Sequence, residues 1–146
     1  MIGQLPEWVF PTIFAVLFVL VLFAAAWRNN RRQIAESLAR RANPSREEFF
    51  GLMGGDVSAE ATQFLWTNVL AILQPSLTPH PDDNLARQLP IDSEEWRMDW
   101  PKAFADEHGF DRSAYPDWPK DWPKDWLPTL RNLGKWLDAG FASSQR

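Results

Sequence analysis

Few side chains in this 146-residue chain could do chemistry. There is no cysteine, which removes thiolate nucleophiles, disulfides and Cys-based zinc sites. The two histidines are His80 and His108. His80 shares a proline-bracketed loop with Asp82 and Asp83. Zinc would need a fourth ligand or a helical spacing there, so a solvated loop is the better reading and no metal is expected. His108 follows Glu107 at an expected helix end, where a cation suits the dipole. No serine is placed to pair with it in a hydrolase triad. That leaves Asp92-Ser93. A serine at a helix N-terminus holds its hydroxyl where the dipole and free N–H groups favour a phosphate. The same residues also read as a cap: Asp92 with Glu95 three positions on is a capping-box pattern, with Ser93 merely in the first turn. No catalytic residue follows from any of these patterns, and the chain is not expected to be an enzyme.

The helix presenting Ser93 is expected to start at Asp92 or Ser93. Trp96, Trp100, Ala103 and Phe104 fall on one helical face. Pro101 removes a backbone donor, which predicts a kink or restart near Asp99, and Gly109 ends the element. Upstream, Ser45 and Glu48 form a capping-box pattern opening a short helix through Phe49, Phe50, Leu52 and Met53, closed by Gly54-Gly55. Ser58 then caps a helix with an apolar stripe at Ala61, Leu65, Val69 and Ile72, running to about Gln74. A polar, proline-rich loop comes next, in which Leu85 and Leu89 are the large apolar residues after Leu77. A last helix is expected at about 127–139, closed by Gly140. No segment alternates like a strand, so the fold class is all-α.

Between the last two helices runs DWPKDWPKDWLP. Proline at every fourth position forbids a regular helix, so residues 116–126 are expected in turns or polyproline-like backbone. The repeat's tryptophans can either fold back over a small helical core or form a docking strip. Nucleic acid is not an expected partner, because the aspartates of the repeat cancel its lysines.

The chain is divided in charge. Residues 1–41 hold five Arg and two Glu, whereas the remainder holds ten basic and 17 acidic residues. Trp8 to Trp27 is an uncharged run of 20 residues bounded by tryptophan at both ends. As a helix it spans about 30 Å, the thickness of a hydrocarbon core. A cleaved signal peptide is disfavoured by the absence of Lys or Arg before the run and by the run's length. Arg28, Arg31, Arg32, Arg40 and Arg41 all follow the run, so the positive-inside rule puts residues 28–146 in the cytoplasm. The expected organisation is a short extracytoplasmic N-terminus (1–7), a transmembrane helix (8–27), a basic juxtamembrane helix (28–43), a helical domain (44–115), and a Trp/Pro-rich segment with a C-terminal helix (116–146). Ile34, Leu38 and Ala42 share a face of the juxtamembrane helix, which would lie on, or leave, an anionic lipid surface. The expected location is the cell inner membrane, single-pass, with the N-terminus outside.

Residues 57–115 resemble an acyl carrier protein. Asp82-Asp83-Asn84-Leu85 looks like the polar turn and buried apolar residue before the carrier motif. Leu89-Pro90-Ile91-Asp92-Ser93 is similar to the carrier's Leu-Gly-x-Asp-Ser, and Phe104 to Phe110 to the end of its second helix. With its extra tryptophans the chain looks most like the acyl-carrier-like proteins grouped as a bacterial family of unknown function. The resemblance implies a small carrier-like helical bundle, with Ser93 as the candidate attachment point of 4′-phosphopantetheine and Asp92 as the aspartate before it. It also implies an acidic surface from Glu94, Glu95, Asp99, Asp106 and Glu107, read by basic patches on partner proteins. Three features depart from the pattern: Glu94 stands where carriers place leucine, Pro90 replaces glycine, and Pro101 interrupts the recognition helix.

Two functions are compatible with these features. In the first, the domain is a membrane-bound, non-enzymatic interaction module for a cytoplasmic partner with a basic surface, and holds no cofactor. In the second, it is a genuine acyl carrier with 4′-phosphopantetheine on Ser93. Glu94 and Pro101 favour the first. In both, the lipid bilayer is a partner.

Overall fold

The computed structural model describes residues 8–73, 75–117 and 128–146. Within them the chain is all-helical, with one isolated bridge between Asn84 and Thr129. Among the described residues five α-helices are formed: α1 Val9–Arg40, α2 Arg46–Met53, α3 Ala59–Leu73, α4 Trp100–His108 and α5 Leu130–Ser144. Most of the DWPK repeat lies outside the described residues, as does Gln74, the expected end of the second soluble helix.

α1 is one unbroken helix of 32 residues. Its apolar window has a mean hydropathy of 2.7 and none of it is buried against protein. It is long and apolar enough to span a membrane. Residues 28–40 continue in line with the apolar run, and the last turns meet the domain: Ile34 packs on the core and Ser37 is fully buried.

The domain grows from local caps. Ser45 Oγ accepts from the Glu48 N–H at 3.2 Å, and Glu48 Oε2 accepts from the Ser45 N–H at 2.7 Å, completing the capping box of α2. α2 buries Phe49 and Met53, with the Phe49 ring 5.2 Å from Trp66 of α3. At the start of α3, Ser58 Oγ accepts from the Ala61 N–H at 3.1 Å. The Asp138 carboxylate of α5 takes both the Ser58 N–H and hydroxyl, placing an anion over the positive end of α3. α3 buries Ala61, Leu65 and Val69 as expected, but the stripe ends on Leu73, while Ile72 is 39% exposed. Because α3 packs on α2 through Trp66 and on α4 through Phe64, its buried face is wider than one stripe and its last turn points Ile72 away from both.

The long loop closes the core from below. Leu77, Leu85, Leu89 and Ile91 are buried in it. Asn84 holds its shape, its side-chain oxygen accepting from the Ala86 and Arg87 N–H groups.

Helical backbone resumes at Ser93 and widens to a π-turn over Glu95–Asp99. The Trp100 N–H bonds to the Glu95 carbonyl, five residues back. In a regular helix the Pro101 ring would strike the Arg97 carbonyl, and the widened turn relieves this. The expected irregularity near Asp99 is thus a π-turn. The wider turn also shifts the phase of α4: Trp96, Trp100 and Phe104 are buried, but Ala105 faces in and Ala103 out. Gly109 ends α4 in the left-handed region at φ 69°.

The expected closure at Gly140 is corrected, since α5 runs through it to Ser144. Gly140 is a point of close approach: a Cβ there would lie 2.2 Å from Tyr115 Cδ1. The Tyr115 ring is stacked on Trp136 at 4.4 Å, and its hydroxyl donates to the Pro101 carbonyl at 2.8 Å. A Cβ at position 140 must displace this ring, so Gly140→Ala is expected to cost about 1–3 kcal/mol in chemical denaturation. At Gly51 of α2 a Cβ meets nothing within 4 Å, so Gly51→Ala is expected to be stabilising by up to about 1 kcal/mol.

Burial pushes the Tyr115 phenol above its ordinary value near 10, the nearby Arg112 charge opposing this only in part. A neutral acid with a raised folded pKa contributes stability that is present below its unfolded pKa and lost as pH rises above it. Denaturation midpoints are therefore expected to fall as pH climbs past about 10, and Tyr115→Phe to flatten that part of the decline. An equally steep decline in the Tyr115→Phe protein would contradict this.

Candidate functional site

Ser93 lies exposed in the first turn of the helix leading into α4. The cap comes from its neighbour: Asp92 Oδ1 accepts from the Glu94 N–H at 3.0 Å. Asp92 therefore does the capping and Ser93 sits inside it with its side chain outward. The two belong together in the structure as the sequence places them.

Beside Ser93 is an open hollow of about 460 Å³, lined by Ser93, Glu94, Arg97, Met98 and Trp136. Trp136 reaches it from α5, a contribution with no sequence signal near Ser93. Met98 is 54% exposed. Arg97 is placed over the Trp96 ring, 5.8 Å from its centroid. Glu94, Asp99, Asp106 and Glu107 are exposed and Glu95 is half-buried, so the acidic residues do line the outside of this helix. The surface is not uniformly negative, because Lys102 pairs with Asp106 at 2.8 Å.

The other sequence candidates have structural partners. Asp83 is not solvated: it is buried and held by Arg41, whose Nε and terminal nitrogen donate to its two oxygens at 2.8 and 2.6 Å. The Asp83 carboxylate also accepts from the His80 N–H at 3.0 Å. Asp82 pairs with Arg131 of α5 at 3.2 Å. Among the described residues no three His, Cys, Asp or Glu side chains gather as a metal site. His108 lies against Phe104 and Phe141, with ring centroids 4.3 and 5.3 Å away.

The structure also sorts the basic flank. Arg41 anchors the loop and additionally donates to the Thr78 carbonyl at 2.8 Å. Arg40 donates to Ser37 Oγ, which itself donates to the Gln88 carbonyl at 3.1 Å. Arg32 pairs with Glu36 on the helix surface. Among the described residues, Arg28 and Arg31 enter no ion pair. No family model, curated protein or solved structure matches this chain.

Proposed function

We propose that this is a single-pass protein of a bacterial inner membrane whose cytoplasmic, carrier-like domain is a non-enzymatic interaction module. The observation that carries the reading is the surface at the start of α4. An exposed methionine and the Trp136 wall of a hollow lie there with Glu94 and Arg97 in its lining, and Asp99, Asp106 and Glu107 are exposed along the same helical stretch. An adaptable apolar patch on a helical surface whose exposed charges are mostly acidic suits a protein partner with a basic surface. The orientation rests on the arginines after the apolar run. Protease added to intact spheroplasts is expected to spare the domain, and its digestion without lysis would reverse the topology.

A second reading, a carrier bearing 4′-phosphopantetheine on Ser93, is favoured by one feature. Asp92 supplies the cap, and the exposed Ser93 hydroxyl stands at the helix start beside the hollow. Its transfer would join the serine oxygen to the phosphate of the pantetheine arm, with adenosine bisphosphate leaving from coenzyme A. The two readings part on mass. The full chain in detergent is incubated with coenzyme A and a broad-specificity phosphopantetheinyl transferase, then weighed intact. No gain is expected, because Glu94 would have to be desolvated in the transferase complex. Gain of one arm in the native chain, absent in Ser93→Ala, would establish the carrier.

A further inference from the structure

A second hollow lies where α1 leaves the apolar run. It measures about 430 Å³ and is walled by Trp27, Asn30, Arg31 and Ile34 of α1 and by Ile72 and Ser76 at the far end of α3. We infer that this cleft between α1 and the domain is a binding site for the headgroup of an anionic phospholipid. The inference rests on the reading of α1 as a membrane span.

The depth is right for a headgroup. If Trp27 marks the edge of the hydrocarbon, Asn30 and Arg31 lie about 4.5 and 6 Å beyond it along the helix axis. That is inside the polar layer of one leaflet, about 5–8 Å thick. The charge is right as well. Arg31 enters no ion pair among the described residues, unlike Arg32 and Arg41. Arg31, Asn30 and Ser76 offer donors to a phosphate, while the half-exposed Ile72 and Trp27 present apolar surface to the glycerol and upper acyl carbons. At the end of α3 the last carbonyl, Leu73, is occupied by the Ser76 and Leu77 N–H groups. The walls stay together because Arg41–Asp83 and Ser37–Gln88 fix the end of α1 to the domain. The exposure of Ile72, which breaks the expected stripe of α3, thus has a use: it forms the domain's side of the cleft.

The test uses the full chain in neutral detergent, titrated with dioleoylphosphatidylglycerol or dioleoylphosphatidylcholine and read by native mass spectrometry. One phosphatidylglycerol is expected to be retained in preference to phosphatidylcholine. Arg31→Gln is expected to lower its retention about fivefold to tenfold, and Arg32→Gln, the same charge change one position on, to leave it unchanged. Ser76→Trp fills the cleft from the domain side without altering charge and is expected to match Arg31→Gln. Equal losses for Arg31→Gln and Arg32→Gln, no loss for Ser76→Trp, or equal retention of the two lipids would each overturn the cleft. Failure of the span is read separately: release of the full chain by alkaline carbonate would remove the membrane reading itself.

Discussion

Arg41→Met is expected to destabilise the domain by about 3–5 kcal/mol. The reason is the environment of its partner. Only 12% of the Arg41 side chain and 4% of the Asp83 side chain are exposed. Removing the guanidinium leaves a carboxylate buried beside the His80 N–H alone and strips the Thr78 carbonyl of a donor. A buried charge without its counter-ion costs far more than the pair contributes net. The fitting control is Arg32→Met, since the Arg32 and Glu36 side chains are 78% and 55% exposed and such helical pairs are worth about 0.3–0.5 kcal/mol. Denaturation of the full chain in micelles, followed by fluorescence of the buried tryptophans, reads both. The double variant Arg41→Met with Asp83→Leu should lose less than the two single variants added together, because the orphaned charge is gone. An Arg41→Met protein within about 1 kcal/mol of the native chain would sink the argument. The same substitution should loosen α1 from the domain, and with it the lipid cleft.

Legibility in the sequence tracks the range of the interaction. The α2 capping box, the Ser58 cap, the helix start at Ser93 and the Gly109 stop are each written within a few residues, and each is in the structure. Pro101 announces an irregularity but not its form, since kink, restart and π-turn all relieve the same clash. Gly140 misleads because glycine marks both a helix end and a close approach, and only the Tyr115 ring distinguishes them. Arg41–Asp83 and Ser58–Asp138 join residues 42 and 80 positions apart, and no local pattern encodes either. At the candidate site the same division holds. Asp92 and Ser93 are visible as a cap and a helix start, whereas the hollow beside them needs Trp136 from α5.

Placing two arginines in the middle of α1, Val19→Arg with Leu20→Arg, is expected to abolish membrane retention of the full chain. The run from Trp8 to Trp27 contains four Val, four Phe, three Leu and one Ile. At about −0.3 to −0.6 kcal/mol each on the insertion scale, they favour a spanning helix by roughly 4–7 kcal/mol. Each arginine at the centre adds about 2.5–3.5 kcal/mol and removes one favourable residue, so two cost roughly 6–8 kcal/mol and match or exceed that margin. Neither can reach the interface easily, because positions 19 and 20 lie at least about 10 Å from the nearer tryptophan along the axis. The domain should remain folded, since no residue of the apolar window is buried against it. Carbonate extraction followed by circular dichroism of the released fraction separates the two effects. The native chain should stay with the membrane, and the double variant should appear in the supernatant with its domain helices intact. Retention of the double variant through carbonate would mean that α1 still spans the bilayer with both arginines in it, and would overturn this estimate of its margin.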